Sequence, residues 1–251
     1  MIYFFSGTGN SRYVAEIAAG KLNDLCCDIV SPQPFCGETL GLVFPVYAWG
    51  LPFVVEEFIE NQLANLLSSK KVTYVFCIMT HGDDMGYADN ILRKKLATVN
   101  LPLSAVFSVF MPNTYVCLPG FDVDKDEVAD GKVSKTVEKL KSICQQIENK
   151  EERVDVNRGA LPYTKTYILR PLFNKFLVTD KYFHISDSCT LCGACASQCP
   201  LKNIEVSDKV RWKGNCTGCL RCYHKCPNSA IKFGKFTEGK GQKKSLKSIV
   251  E

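Results

Sequence analysis

CTLCGACASQCP at residues 189–200 and CTGCLRCYHKCP at residues 216–227 decide how this 251-residue chain is read. Each run is Cys-x2-Cys-x2-Cys-x3-Cys-Pro, the pattern that sets thiolates around an iron–sulfur cube. Cysteines two residues apart wrap one corner of a cube on a tight loop, with backbone N–H groups aimed at its sulfurs. The fourth cysteine, three residues on, begins a short helix. Cys189 and Cys216 are 27 positions apart, as are Cys199 and Cys226. The flanks repeat as well. Ile185 and Trp212 each stand four before the first cysteine, and Ile204 and Ile231 each stand five after the fourth. The segment is an internal duplication.

These two runs resemble the bacterial two-cluster [4Fe–4S] ferredoxin. In that motif the fourth cysteine of each run ligates the other cluster. The resemblance therefore implies one cluster on Cys189, Cys192, Cys195 and Cys226, and a second on Cys216, Cys219, Cys222 and Cys199. Pro200 and Pro227 end the loops by fixing φ and removing a donor. Structural zinc also uses Cys-x2-Cys pairs, but as four ligands in two pairs separated by a long loop. Two identical quartets with trailing prolines fit iron–sulfur better. A disulfide framework is disfavoured because the chain otherwise reads as cytoplasmic: it has no basic stretch before its first apolar run, and Gly7–Asn10 interrupts that run.

With 46% apolar and 23% charged residues, the chain has enough apolar surface for a core. No run of 18 apolar residues is present, so no membrane insertion is expected. The net charge of +5 hides an asymmetry: residues 1–150 carry 13 basic and 17 acidic side chains, residues 151–251 carry 18 and 9. Thiolate-bound clusters are anionic, so part of that positive charge is expected to offset them. No aromatic–basic interleaving or helix-turn-helix pattern supports nucleic-acid binding. Six further cysteines (Cys26, Cys27, Cys36, Cys77, Cys117 and Cys144) lack metal-type spacing and read as reduced thiols. Cys117 falls in a loop expected near a cofactor.

Residues 1–150 alternate short apolar runs with helical periodicity, the signature of a parallel α/β sheet. Strands are expected at Ile2–Phe5, near Cys27–Val30, and at Leu40–Phe44, Val72–Met79 and Ala105–Met111. Helices are expected at Asn10–Leu22, Pro52–Leu67, Tyr87–Ala97 and Lys125–Asn149. This predicts a flavodoxin-like doubly wound sheet of five strands, order 2-1-3-4-5, with ligand beyond the carboxyl ends of strands 1 and 3.

The loop after the first strand is Ser6-Gly7-Thr8-Gly9-Asn10-Ser11. It resembles the flavodoxin loop for the phosphate of FMN: glycines let the backbone curl, and hydroxyls and N–H groups at a helix N-terminus hold the dianion. It contains no Lys or Arg, and it lacks the Gly-Lys-[Ser/Thr] of a nucleotide triphosphate loop. Arg12 replaces the third glycine of a dinucleotide fingerprint. By the same resemblance, the loop Pro45-Val46-Tyr47-Ala48-Trp49-Gly50 supplies an aromatic to the flavin ring, although Tyr47 and Trp49 also suit simple packing. Thr80-His81-Gly82 through Gly86 lets backbone approach the ring. His81 reads either as a proton donor to reduced flavin or as a hydrogen-bonded loop histidine. Asp83 and Asp84 read as a solvated turn or an acidic face, and Asn113 and Tyr115 are further candidates for the pocket.

Residues 151–181 are expected to form a helical connector with Phe173, Phe176 and Leu177 buried, residues 182–234 the two-cluster domain, and residues 235–251 a basic flexible tail. Together the resemblances identify a flavodoxin–ferredoxin fusion of the kind found in anaerobic bacteria. They imply FMN, two [4Fe–4S] clusters and redox partner proteins. Two functions are compatible: an electron carrier joining one- and two-electron partners, or an FMN-dependent reductase of a small molecule fed through the clusters.

Overall fold

Strands covered on both faces show no polar–apolar alternation, and Tyr74–His81 reads YVFCIMTH with all eight residues buried. This strand is the centre of the sheet. The computed structural model describes residues 1–67, 70–243 and 246. The chain runs β1 (Ile2–Phe4), α1 (Asn10–Lys21), β2 (Cys26–Asp28) and β3 (Thr39–Pro45). Next, α2 (Phe53–Phe58) passes through a π-helical turn (Ile59–Leu63) into α3 (Ala64–Leu67). β4 (Tyr74–His81), α4 (Ala88–Ala97), β5 (Ala105–Phe110), α5 (Asp126–Glu148) and β6 (Arg153–Asp155) follow.

All pairings in this sheet are parallel, and its order is β2-β1-β3-β4-β5-β6. The first five strands keep the predicted flavodoxin-like order. The sixth corrects the prediction, because Arg153–Asp155 lies in the expected helical connector and instead pairs with Ala105–Phe107. It is a three-residue edge with Arg153 and Val154 exposed, held by backbone pairing and by the Asp155–Lys139 ion pair at 3.1 Å. One core lies between the sheet and α2–α4, with Tyr3, Phe44, Phe58 and Leu92. The other lies under α1 and α5, with Val14, Phe76, Phe107 and Leu140.

After β6, α6 (Pro162–Thr164) leads through a π-helical turn (Lys165–Leu169) into α7 (Arg170–Phe176). Phe173 is half-buried against Tyr115 at 5.6 Å, but Phe176 is 58% exposed, contrary to expectation. Four-residue spacing explains it: Phe176 shares an outward face with Ile168 and Leu172, also exposed.

The cysteine-rich segment forms β7 (Phe183–Ile185), α8 (Ala194–Ser197), β8 (Ile204–Val206), β9 (Val210–Trp212), α9 (Arg221–His224) and β10 (Ile231–Phe233). The duplicated flanks pair across the repeat, Ile185 with Ile231 and Ile204 with Trp212, both antiparallel. The left-handed backbone positions also recur 27 residues apart: Leu191 and Gly218, Gly193 and Leu220, Lys202 and Ser229. The sequence repeat is thus a conformational repeat. Its core joins Phe183, Tyr223 and Phe233 to Val116 and Cys117 of the loop after β5.

The expected flexible tail is, where described, a strap. Gly234–Thr237 forms a 3-10 turn with Thr237 fully buried. Lys240 Nζ then donates to Val116 O and Leu118 O, and Gln242 Nε2 donates to Tyr223 O and Cys226 O. Main-chain carbonyls hold these polar side chains, so the segment is ordered without an apolar pattern. The remaining tail residues, 244, 245 and 247–251, lie outside the described residues. Among the described residues no helix is long and apolar enough to cross a membrane.

Candidate functional site

Parallel strands deliver their carboxyl ends to one edge, and the loops there surround a cavity of about 800 Å3. The first wall is the turn from β1 into α1. Ser6 Oγ accepts the Gly9 N–H at 3.0 Å, and Gly9 takes φ 102° at the helix start. That angle suits glycine. Ser11 Oγ and Thr80 Oγ1 share a buried hydrogen bond of 2.8 Å, tying the loop to the end of β4, while Asn10 Nδ2 donates to Pro112 O at 2.8 Å. Ser6, Gly7, Thr8, Asn10 and Ser11 all line the cavity; Gly9 does not.

The second wall is the loop after β3. Tyr47 and Gly50 exchange backbone hydrogen bonds of 3.0 and 3.1 Å around Ala48 and Trp49, whose φ values are 44° and 59°. Turns of this kind favour Asn-Gly, so two non-glycine residues there carry backbone strain of the sort found at binding sites. Pro45, Val46, Tyr47, Ala48 and Trp49 line the cavity. Gly50 faces the Arg170 side chain instead, and Gly86 packs against Trp49 and Thr166; neither lines the cavity. These glycines admit neighbouring protein side chains rather than a ligand.

The third wall is the end of β4. Thr80, His81 and Gly82 line the cavity, and a Cβ on Gly82 would collide with the Asn113 carboxamide. His81 is 5% exposed and stands edge-on to Phe110 at 4.6 Å, with no partner on either ring nitrogen among the described residues. Burial lowers its pKa to about 4, so the ring is neutral at pH 7. Asp83 is exposed, whereas Asp84 is half-buried and pairs with Lys165 at 2.5 Å. Asn113 and Tyr115 line the cavity from the loop after β5.

The connector, which the sequence reading left out of the site, roofs this cavity. Lys165 lies over the Trp49 ring at 5.8 Å, and Thr166 Oγ1 donates to Trp49 O at 3.2 Å. Arg170 bonds Leu51 O and Glu56 at 3.0 and 2.9 Å. Phe173 and Leu177 complete the apolar lining. Cys117 also lines it; burial pushes this thiol up to about 12, so it is protonated.

The cysteine runs enclose two smaller hollows. One is lined by Cys189, Cys192, Cys195 and Cys226, the other by Cys199, Cys216, Cys219 and Cys222. No three His, Cys, Asp or Glu side chains converge on a point fit for a single metal ion among the described residues. Backbone N–H groups address the sulfurs at 3.3 Å: Asn203 to Cys199, Ala230 to Cys226 and Gly218 to Cys216. The first two are again 27 residues apart. Burial pushes the Cys216 thiol up to about 12, so a thiolate there calls for a bound cation. Cys192 is exposed and Cys222 buried, which makes the first hollow the outer one.

The inner hollow and the main cavity meet. Cys216 and Cys219 belong to both linings. A Cβ built on Gly7 would stand 2.6 Å from Cys219 O and 3.3 Å from its Cβ, so the glycine is what lets the two loops touch. Arg221, the residue between Leu220 and Cys222, reaches across to Ser6 O at 2.5 Å and Gly7 O at 3.3 Å. Lys243 Nζ reaches Thr8 O at 3.3 Å. Burial lowers the Lys243 pKa to about 8, with Lys225 adding in the same direction. Sequence reading missed both contacts: Arg221 is hidden inside a ligand motif and Lys243 inside a lysine-rich stretch.

Residues 182–205 match the 4Fe-4S binding domain family. The match takes in the first cysteine run; the second lies beyond it. No curated protein matches the chain. Among solved structures, the chain is similar to the Trp repressor binding protein from Bacillus subtilis, at 13% identity over 58% of this chain and 96% of that one, with a TM-score of 0.39. It is also similar to a flavodoxin of Streptococcus pneumonia TIGR4, at 17% identity over 57% and 97%, with a TM-score of 0.34.

Proposed function

We propose that this chain is an electron-transfer protein that couples two [4Fe–4S] clusters to a bound FMN and so joins one-electron to two-electron redox partners. In this reading residues 1–155 carry the flavin, and residues 182–234 carry the clusters on the crossed quartets defined above. One observation carries it: Cys216 and Cys219 line the same cavity as the Ser6–Ser11 loop. Donor and acceptor groups held there would share a wall without intervening protein layers.

The residues present fit both groups. Asn10 Oδ1, both His81 nitrogens, Tyr115 Oη and Thr217 Oγ1 are buried without partners among the described residues, and all belong to the cavity lining. Buried polar atoms are rarely left unpaired, so this distribution supports a polar ligand. Clusters supply single electrons, and a flavin supplies one or two. The chain's own part is positional. The Ser6–Ser11 loop offers N–H groups and hydroxyls to a phosphate, Trp49 and Tyr47 bound a flat ring, and neutral His81 offers one donor and one acceptor to it. Leu177, Phe173 and Tyr115 keep water from one side. Leu191 and Cys192 are both exposed, which supports the outer quartet as the side where a redox partner protein would dock.

A second reading, a flavin-dependent reductase of a small molecule, is favoured by the roof. α7 and the Lys165–Leu169 turn cover the ring-binding loops, whereas a carrier that hands electrons from its flavin to a protein needs that edge open. The two readings separate on photoreduction of the cluster-loaded, FMN-loaded protein followed by mixing with oxidised protein carriers or with small quinones. A carrier reoxidises through protein partners at the outer quartet; a reductase is turned over by the small molecule even when the outer face is blocked.

A further inference from the structure

Three consecutive carbonyls of the Ser6–Ser11 loop, those of Ser6, Gly7 and Thr8, are held by two cations from the cysteine-bearing part of the chain. Arg221 is aimed by its place in α9 and by Nη1 donating to Gln198 O at 3.2 Å, with its guanidinium over the Phe5 ring at 5.9 Å. Lys243 is aimed by the strap: its N–H donates to His224 Nδ1 at 3.0 Å, and the neighbouring Gln242 is anchored to α9. In a trans peptide the carbonyl and the next N–H point opposite ways. Holding these carbonyls outward therefore turns the N–H groups of Gly7 and Thr8 towards the inside of the loop, while the Gly9 N–H is held by Ser6 Oγ.

One of the two charges is also unspent. Lys243 is half-buried and has no carboxylate within ion-pair distance among the described residues. Arg221, by contrast, has an ion-pair partner in Asp28 Oδ2 at 3.9 Å. Buried cations are ordinarily paired, and an anion to pair with Lys243 would lie in the direction of the loop it grips. A loop that has no Lys or Arg of its own acquires two from distant sequence.

We propose that Arg221 and Lys243 are the cationic backing of the phosphate loop, so that this loop holds a phosphomonoester firmly only while the cysteine-bearing segment is docked behind it. They are positioning residues: they act on the phosphate through the loop's peptide groups. The proposal rests on the reading of the cavity as an FMN site and adds that flavin retention and docking are one event.

The test measures affinities of FMN and of riboflavin, which lacks the phosphate, for the full-length, cluster-loaded protein freed of flavin, by fluorescence quenching. It compares wild type with Arg221→Gln, Lys243→Gln and Lys243→Arg. The expected result is an FMN affinity about tenfold lower in each Gln variant, unchanged riboflavin affinity, and recovery in Lys243→Arg. Equal weakening of both flavins would mean that these residues merely hold the fold, and unchanged FMN affinity would mean that they do not sense the phosphate; either overturns the proposal. Lys243→Gln lies outside the cluster motif and decides the matter even where Arg221→Gln loses its iron. Wild type that binds neither flavin would instead overturn the FMN reading itself, and this proposal with it.

Discussion

Gly7→Ala separates the two halves of the proposed site with a single methyl group. Gly7 is not among the residues with left-handed backbone, so alanine meets no conformational penalty there and the whole effect is steric. The added Cβ would stand 2.6 Å from Cys219 O and 3.3 Å from Cys219 Cβ, and it would collide with the Tyr47 hydroxyl. Contacts of this type relax only when heavy atoms reach about 3.5 Å, so the loops must part by roughly 0.5–1 Å. Overpacking of this kind costs about 1–3 kcal/mol. At about 2–4 °C per kcal/mol for a chain of this size, Tm falls by several degrees. Gly20→Ala is the control: it lies exposed in α1, its Cβ would meet nothing within 4 Å, and a gain of about 0.5–1 kcal/mol is expected. The assay is thermal unfolding of both variants, with flash photoreduction to follow electron exchange between flavin and clusters. Gly7→Ala is expected to lower Tm and slow the exchange. A Gly7→Ala protein with unchanged Tm and unchanged exchange would show that the cysteine loop does not rest on the phosphate loop in solution.

Other perturbations separate the remaining parts of the account. Under the proposed assignment, Cys199→Ala is expected to destroy the inner cluster, whose other ligands would be Cys216, Cys219 and Cys222, and to spare the outer one; EPR showing the outer cluster lost instead would disprove the crossed assignment. Asp180, 8% exposed, accepts from Asn203 Nδ2 and Gly214 N at 2.8 Å each, so Asp180→Ala leaves two donors unsatisfied and is expected to cost about 2–4 kcal/mol in urea unfolding, with a loss under 1 kcal/mol counting against that bond pair. For His81 the folded pKa of about 4 lies below the unfolded value of 6.5, so the unfolded chain takes up the proton first as pH falls. The stability tied to neutral His81 is complete above pH 6.5 and is lost progressively down to pH 4. Between pH 7 and 5 that amounts to about 2 kcal/mol. His81→Phe should flatten the urea-midpoint profile by this amount, and a profile parallel to wild type would contradict the burial argument.

What the sequence made legible follows from what each feature demands chemically. A cube needs ligands at fixed covalent spacing, so the runs from Cys189 to Cys226 stand out as a pattern, and their 27-residue period reappears in backbone angles and in the pairing of Ile185 with Ile231. Parallel strands buried on both faces must be continuously apolar, which exposes β3, β4 and β5 to inspection. β6 offers no such trace, since Arg153-Val154-Asp155 joins only one neighbour and leaves Val154 51% exposed. The strap is illegible for a related reason. Lys240, Gln242 and Lys243 bind main-chain carbonyls, and acceptors of that kind exist beside every residue, so no sequence pattern marks them. Gly50 and Gly86 show the converse hazard: glycine at a binding loop signals close approach, but here Arg170, Thr166 and Trp49 make that approach.

In the proposed function one chain holds clusters and flavin in electronic contact. Anaerobic reductive titration of the purified protein, followed by visible absorbance and EPR together with iron and FMN counts, tests it most directly. About eight irons and one FMN per chain are expected, with the flavin reduced by electrons delivered at the clusters of the same molecule. Clusters present without FMN, or with an FMN that stays oxidised while they are reduced, would contradict it.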